Sequence, residues 1–204
     1  MMRIKNKIIT LVILLISIPS ISLAQTKAGE TKFGIDGGYA FADIGAQNTA
    51  QSIANATGST TTYTYDKATW MIRPFISYGF TKDVSGEFGL FYTGDLDANY
   101  RTASGLTASE SYKAYGFDAA AVYTWPGGFF AKGGLHYSQI DAAGQIRLSN
   151  GSGVNVSGYS YGVNGLIGVG YESAGGFRVG YTYYNDIGNL KDADFGMLYI
   201  GAKF

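Results

Sequence analysis

Along most of this chain, large apolar residues alternate with small or charged ones at a period of two. From Phe33, the positions Phe33, Ile35, Gly37, Tyr39 and Phe41 interleave with Gly34, Asp36, Gly38, Ala40 and Ala42. From Trp70, one set is Trp70, Ile72, Pro74, Ile76, Tyr78 and Phe80, and the other is Met71, Arg73, Phe75, Ser77 and Gly79. The same grammar restarts at Val84, Tyr115, Phe129, Tyr159, Phe177 and Phe195. Successive side chains of a strand point to opposite faces, so each run reads as a strand with one apolar face. Its other face carries glycine, alanine and isolated charges. Helical periodicity is weak, because glycine interrupts most windows. The pattern predicts eight strands of roughly ten residues, the length a tilted membrane strand requires.

The predicted connections alternate in length. Residues 81–83, 126–128 and 173–176 form tight turns, whereas 43–66, 95–111, 141–156 and 185–193 read as long polar loops. Pro74 lacks an amide hydrogen for the ladder, so a bulge or a local break in pairing is expected there.

Alternation alone leaves two closed architectures open, a membrane barrel and a soluble lipocalin-like carrier with its apolar face inward. Two observations favour the membrane barrel. The small-residue face is a poor solvent surface but suits a narrow lumen filled by side chains. The aromatics of the apolar face also gather at strand ends. Phe33, Tyr78, Phe80, Tyr123, Trp125, Phe129, Tyr171, Phe177 and Phe204 fall on the short-turn side. Tyr39, Phe41, Trp70, Tyr92, Tyr115, Tyr137, Tyr161 and Tyr183 fall on the long-loop side. Two such girdles suit the two interfaces of a bilayer.

Composition supports that choice. Charged residues make up 15% of the chain, against roughly 25% in ordinary soluble domains. The start of the chain reads as a cleaved export signal spanning residues 1–24: a basic segment, an apolar run from Ile8 to Ile16, and Ser22-Leu23-Ala24 before the cut. The apolar run is short for a retained membrane helix. Removing Arg3, Lys5 and Lys7 leaves 12 basic and 15 acidic residues in the barrel domain, 25–204. That balance argues against nucleic acid as a partner. The chain has no cysteine, which excludes disulfides and thiolate metal sites. No metal-binding or cofactor-binding motif is present, so no metal or cofactor is expected.

Three segments carry a family likeness: Phe33-Gly-Ile-Asp-Gly-Gly-Tyr39, the pair around Ile76 to Phe80 and Glu87 to Tyr92, and Tyr199-Ile-Gly-Ala-Lys-Phe204. In their order and spacing they resemble the small OmpA-like and opacity-type outer-membrane barrel proteins. The resemblance implies an all-β fold, an eight-stranded antiparallel up-and-down transmembrane β-barrel in the outer membrane of a Gram-negative bacterium. Such a barrel sits among outer-membrane lipid and lipopolysaccharide. The resemblance also implies that the barrel-assembly machinery reads the last strand through Leu198, Ile200 and Phe204. Ala202 departs from the aromatic often found at that position.

Three constellations are candidates for function. Asp36, Glu87 and Asp118 face the same predicted lumen as Arg73, Lys132 and Arg178, three acids against three bases. Buried charges must pair, so this set reads first as a structural plug and second as the lining of a small, weakly conducting pore. His136 and Ser138 share a face and could act as base and nucleophile, as in lipid A-modifying barrels. The following residues do not continue that pattern, and no glutamate lies a short way downstream. The long loops, rich in Ser, Thr, Tyr and Asn around residues 59–65, suit binding at a surface. The expected function is a non-enzymatic surface protein that contributes to envelope integrity and, through its loops, to adhesion or host contact.

Overall fold

In the computed structural model, which describes residues 27–189 and 193–204, the chain forms a single antiparallel sheet. The expected signal, 1–24, lies outside the described residues. In chain order the elements are β1 (Thr31–Ala42), α1 (Ala46–Thr57), β2 (Thr61–Tyr65), β3 (Ala68–Gly79), β4 (Val84–Thr93), β5 (Leu96–Thr102) and β6 (Thr107–Thr124). They continue with β7 (Phe129–Arg147), β8 (Gly153–Glu172), β9 (Phe177–Tyr184), a short 3₁₀ turn at Ile187–Asn189 and β10 (Phe195–Lys203). Strands β1, β3, β4, β6, β7, β8, β9 and β10 pair as neighbours in a ring. The eight predicted strands therefore close into an eight-stranded antiparallel barrel, with the last strand paired to the first from Gly34↔Lys203 to Ala42↔Phe195.

The faces follow the predicted alternation. Phe33, Trp70, Phe88, Phe117, Leu135, Ile167 and Leu198 are exposed on the outside, while Asp36, Met71, Arg73, Glu87, Phe130 and Tyr199 are buried within. The outward apolar band along β7 runs from Phe129 to Tyr137, roughly 27 Å of strand and about 20 Å of height once tilted. So large a continuous apolar exterior is unsuited to water and matches the lipid-facing surface of a barrel. Pro74 faces outward within it. Register is kept between Ile72↔Tyr92 and Phe75↔Gly89, but the two positions between them lack ladder partners on β4. A break without a bulge thus accommodates the missing amide hydrogen.

The regions expected to be irregular loops are largely ordered. β6, β7 and β8 run well beyond the outward apolar band, and β5 continues β4 alongside them. β2 extends β3 in the same way by pairing with β5. Together these form a sheet-like tier on one side of the barrel mouth. Its register changes by one residue between Tyr92↔Tyr115 and Leu96↔Tyr112, so the inward residues switch from odd in β4 to even in β5. Gly94 sits at this offset, where a Cβ would come within 2.4 Å of the Trp70 indole nitrogen. Inside the tier, α1 lays Ala46 and Ala50 against Ala98, Tyr100 and Ala108. The helix is bounded by left-handed glycines, Gly45 and Gly58, a conformation that glycine adopts without a steric penalty.

Candidate functional site

The lumen is built by pairing large inward residues with inward glycines. A Cβ on Gly34 would lie 2.2 Å from the Phe75 ring, and one on Gly89 would lie 2.6 Å from Arg73 Nε. Gly180 makes equivalent room for Tyr199. The narrow interior can therefore hold full-length arginine and aromatic side chains at high density. The abundance of glycine is in part a packing requirement.

The structure brings five of the six expected lumen charges into one chain of contacts. Arg73 reaches Asp118 through a fork, with Nε–Oδ2 at 2.8 Å and Nη2–Oδ1 at 2.6 Å. Its Nη1 lies 3.1 Å from Asp36 and 3.3 Å from Glu87. Glu87 in turn lies 2.8 Å from Arg178. Lys132 joins no ion pair among the described residues. It lies 5.3 Å from the centre of the Tyr199 ring, in cation–π geometry. Two groups outside the expected set extend the chain downward: Arg178 is 3.6 Å from Glu172, and Glu172 is 2.6 Å from Lys203. Glu172 follows Tyr171, one residue past the strand end read from the alternation, and Lys203 sits among the inward positions of the last strand. Carrying the alternation one residue further would have found the first, and asking what could neutralise it the second.

Aromatic faces complete the network. The Arg178 guanidinium stacks 4.5 Å from Phe75 and 5.0 Å from Phe130, and Arg73 approaches the same Phe75 at 4.9 Å. Above them the segment after β9 turns inward over the mouth. Ile187 is buried, and Gly188 packs on Ile140. Asn164 donates to the Asp186 carbonyl at 2.9 Å. Ion pairs, rings and this inturned segment fill the interior.

His136 and Ser138 both face inward, but each is engaged elsewhere. His136 Nε2 contacts the Asn185 carbonyl at 2.9 Å, and Ser138 Oγ accepts the Gly188 amide at 2.8 Å. The two side chains make no base–nucleophile hydrogen bond in this structure. They anchor the inturned segment and lie away from the lipid-facing surface. Among the described residues, no cluster of histidine and carboxylate groups is arranged to hold a metal ion.

Solved structures share this architecture. Ail, the attachment invasion locus protein of Yersinia pestis, is 15% identical over 85% of this chain and 99% of its own, with a TM-score of 0.51. The outer membrane protein OprG from Pseudomonas aeruginosa is 15% identical over 89% of this chain and 99% of its own, with a TM-score of 0.54. The fold is that of the small outer-membrane β-barrels. No protein-family model and no curated protein matches the sequence.

The second candidate site is the outward face of the tier, where sequence reasoning expected only loops. Open grooves lie along it. One of about 420 Å³ is bordered by Thr62, Asn99, Arg101, Thr107, Gln145 and Arg147. Closer to the outward apolar band lies a groove of about 710 Å³ beside Asp95, Lys113, Asp141 and Tyr159. Lys113 pairs there with Asp95 at 3.2 Å, and the Asp95 carboxylate raises the Lys113 pKa. On the tier's inner face, Glu110 Oε2 accepts from Tyr112 at 2.6 Å and from Tyr100 at 3.3 Å. Burial first, and Glu110 second, pushes Tyr100 up to about 12. The same causes raise Tyr112 further.

Proposed function

We propose that this chain is a non-enzymatic barrel of the Gram-negative outer membrane, exported by residues 1–24, whose tier makes contact with ligands beyond the membrane. The observation that carries the reading is the division of labour between lumen and tier. The lumen is filled by its own side chains, and five of its six expected charges are consumed in pairing with one another. The tier offers exposed polar grooves above an apolar belt. A filled lumen is the less favourable arrangement for a pore, and an engaged His136 and Ser138 for a lipid A-modifying enzyme.

On this reading the lumen charges serve envelope integrity by stiffening the barrel. Leu198, Ile200 and Phe204 serve as the assembly signal in the strand that closes it, and lipopolysaccharide surrounds the belt. Adhesion or host contact is assigned to the tier. The neighbour Ail was crystallised in complex with the heparin analogue sucrose octasulfate. That ligand class makes contact with sugars at the outer end a reasonable expectation for this chain too.

The test has two parts. Whole cells expressing the chain are fractionated and treated with protease, and the tier is expected to be cut while the barrel stays in the outer membrane. Trimming the β5–β6 and β7–β8 hairpins to short turns should abolish binding of cells to matrix, with heat-dependent gel migration reporting an intact barrel. A soluble periplasmic product, or matrix binding that survives trimming, refutes the proposal.

A further inference from the structure

The sheet register places four outward residues of the tier in one row. Thr62 pairs with Arg101, Arg101 with Thr107, and Thr107 with Arg147. Adjacent strands lie near 4.8 Å apart, so the two arginine backbones stand roughly 10 Å apart with a threonine between them. The next row joins Thr64, Asn99, Ser109, Gln145 and Asn155. Both rows border the groove of about 420 Å³.

The two arginines differ from the paired lysine lower on the same face. Neither has an ion-pair partner among the described residues, and the Arg101 guanidinium makes no hydrogen bond there. Arg147 is oriented by a neutral relay: its Nε donates to Gln145 at 2.7 Å, and Gln145 Nε2 donates to Asn155 at 3.0 Å. Lys113, lower on the same face, is neutralised by Asp95. The face thus holds two guanidiniums without an ion pair above a band with Asp97 and Asp141.

We propose that this groove binds an anionic saccharide chain carrying sulfate or phosphate groups, with Arg101 and Arg147 each holding one anionic group. A guanidinium fork matches the oxygens of such groups in a bidentate way. The hydroxyls and amides of the second row supply donors and acceptors for sugar hydroxyls. The chain comes from a surface or matrix opposite the cell, and height argues against the cell's own lipid headgroups. The row lies eight residues of β6 beyond Tyr115 of the aromatic girdle, roughly 26 Å of strand and about 20 Å of height once tilted. A phospholipid headgroup layer is only about 5–8 Å thick on each side, so the row stands clear of it, and lipopolysaccharide is separated by the nanodisc experiment. The acidic band between the two also repels an anionic membrane surface. The proposal rests on the reading that this end faces outward from the cell.

The full chain, refolded into nanodiscs of zwitterionic phospholipid, is titrated with a sulfated oligosaccharide and with the same oligosaccharide after desulfation. The sulfated chain is expected to bind, with affinity falling as salt rises, and the desulfated chain at least about tenfold more weakly. The double variant Arg101→Gln, Arg147→Gln should lose about tenfold or more of the sulfated binding. Lys82→Gln, which removes a cation at the opposite end of the barrel, should leave it unchanged. Heat-dependent gel migration checks that each variant is folded. Equal binding of both oligosaccharides overturns the proposal, as does retention of affinity by the double variant. Binding that appears only when lipopolysaccharide is placed in the nanodisc also overturns it. The outcome is separable from that of surface display. A displayed barrel that ignores sulfated chains removes this site alone, and a binding-competent barrel absent from the cell surface removes the display reading alone.

Discussion

Arg73→Ala is the most informative perturbation of the lumen. The side chain is 1% exposed and touches three carboxylates. The substitution strips Asp118 of a two-bond fork and leaves it only the Tyr184 hydroxyl at 3.2 Å. Asp36 loses its one ion pair among the described residues, while Glu87 keeps Arg178 at 2.8 Å. Two carboxylates therefore lose a charged partner in a buried interior. Removing one partner of a buried ion pair costs about 3–5 kcal/mol, mostly because the other charge is left uncompensated. That range corresponds to roughly two to four orders of magnitude in the folding equilibrium.

The assay is reversible denaturant unfolding from phospholipid vesicles, followed by the fluorescence of Trp70 and Trp125, which sit at opposite girdles. A second variant separates lost packing from stranded charge. Adding Asp118→Asn to Arg73→Ala removes one of the uncompensated carboxylates and should recover at least about 1 kcal/mol, although the same change alone destabilises the parent. Stability of Arg73→Ala within about 1 kcal/mol of the parent would refute the reasoning. Strictly additive losses in the double variant would refute it as well, because they would mean the two residues act independently.

Two further predictions concern packing and pH. Gly89→Ala should cost about 1–3 kcal/mol in the same unfolding assay, since its Cβ would meet Arg73 Nε at 2.6 Å. Gly133→Ala, with nothing within 4 Å of the new Cβ, should be near neutral. The tier should loosen in alkali while the barrel persists. Tyr100 and Tyr112 are raised in the fold, so their contribution is intact below pH 10 and is lost as pH climbs from there to 12 and beyond. Tyrosinate absorbance and limited proteolysis should report tier opening in that window, and Tyr112→Phe should reduce the tyrosinate signal there.

The barrel was legible because its two faces differ in size as well as polarity. Phe33, Ile35 and Tyr39 against Gly34, Asp36 and Ala40 can be read only one way once the aromatics are seen to cluster at strand ends. Above the girdle that contrast disappears. Thr62, Asn99, Ser109 and Gln145 face outward with the polarity of loop residues, so strands read as loops. The one-residue offset at Gly94 hid the rest, because Leu96, Ala98 and Tyr100 obey the alternation only with its phase reversed. The helix over Ala46–Thr57 escaped notice because it buries alanines at 46 and 50, too small to stand out in a hydropathy pattern.

Charge pairing was legible only as a set. Period two identifies which charges enter the lumen, but strand order and stagger decide which of them meet. Arg73 on β3 meets Asp118 on β6, 45 positions along the chain, whereas Lys132 reaches a tyrosine ring. Chemistry shared within the lumen is largely spent there: each acid is answered by a base, and Phe75, Phe130 and Tyr199 each by a glycine. Two arginines of the tier have no ion-pair partner among the described residues, and they stand in one row just below the hairpin turns. Exposed cationic groups without an ion pair are where an anionic partner gains most from binding. That contrast, more than loop length or loop composition, locates the candidate for function at the tier.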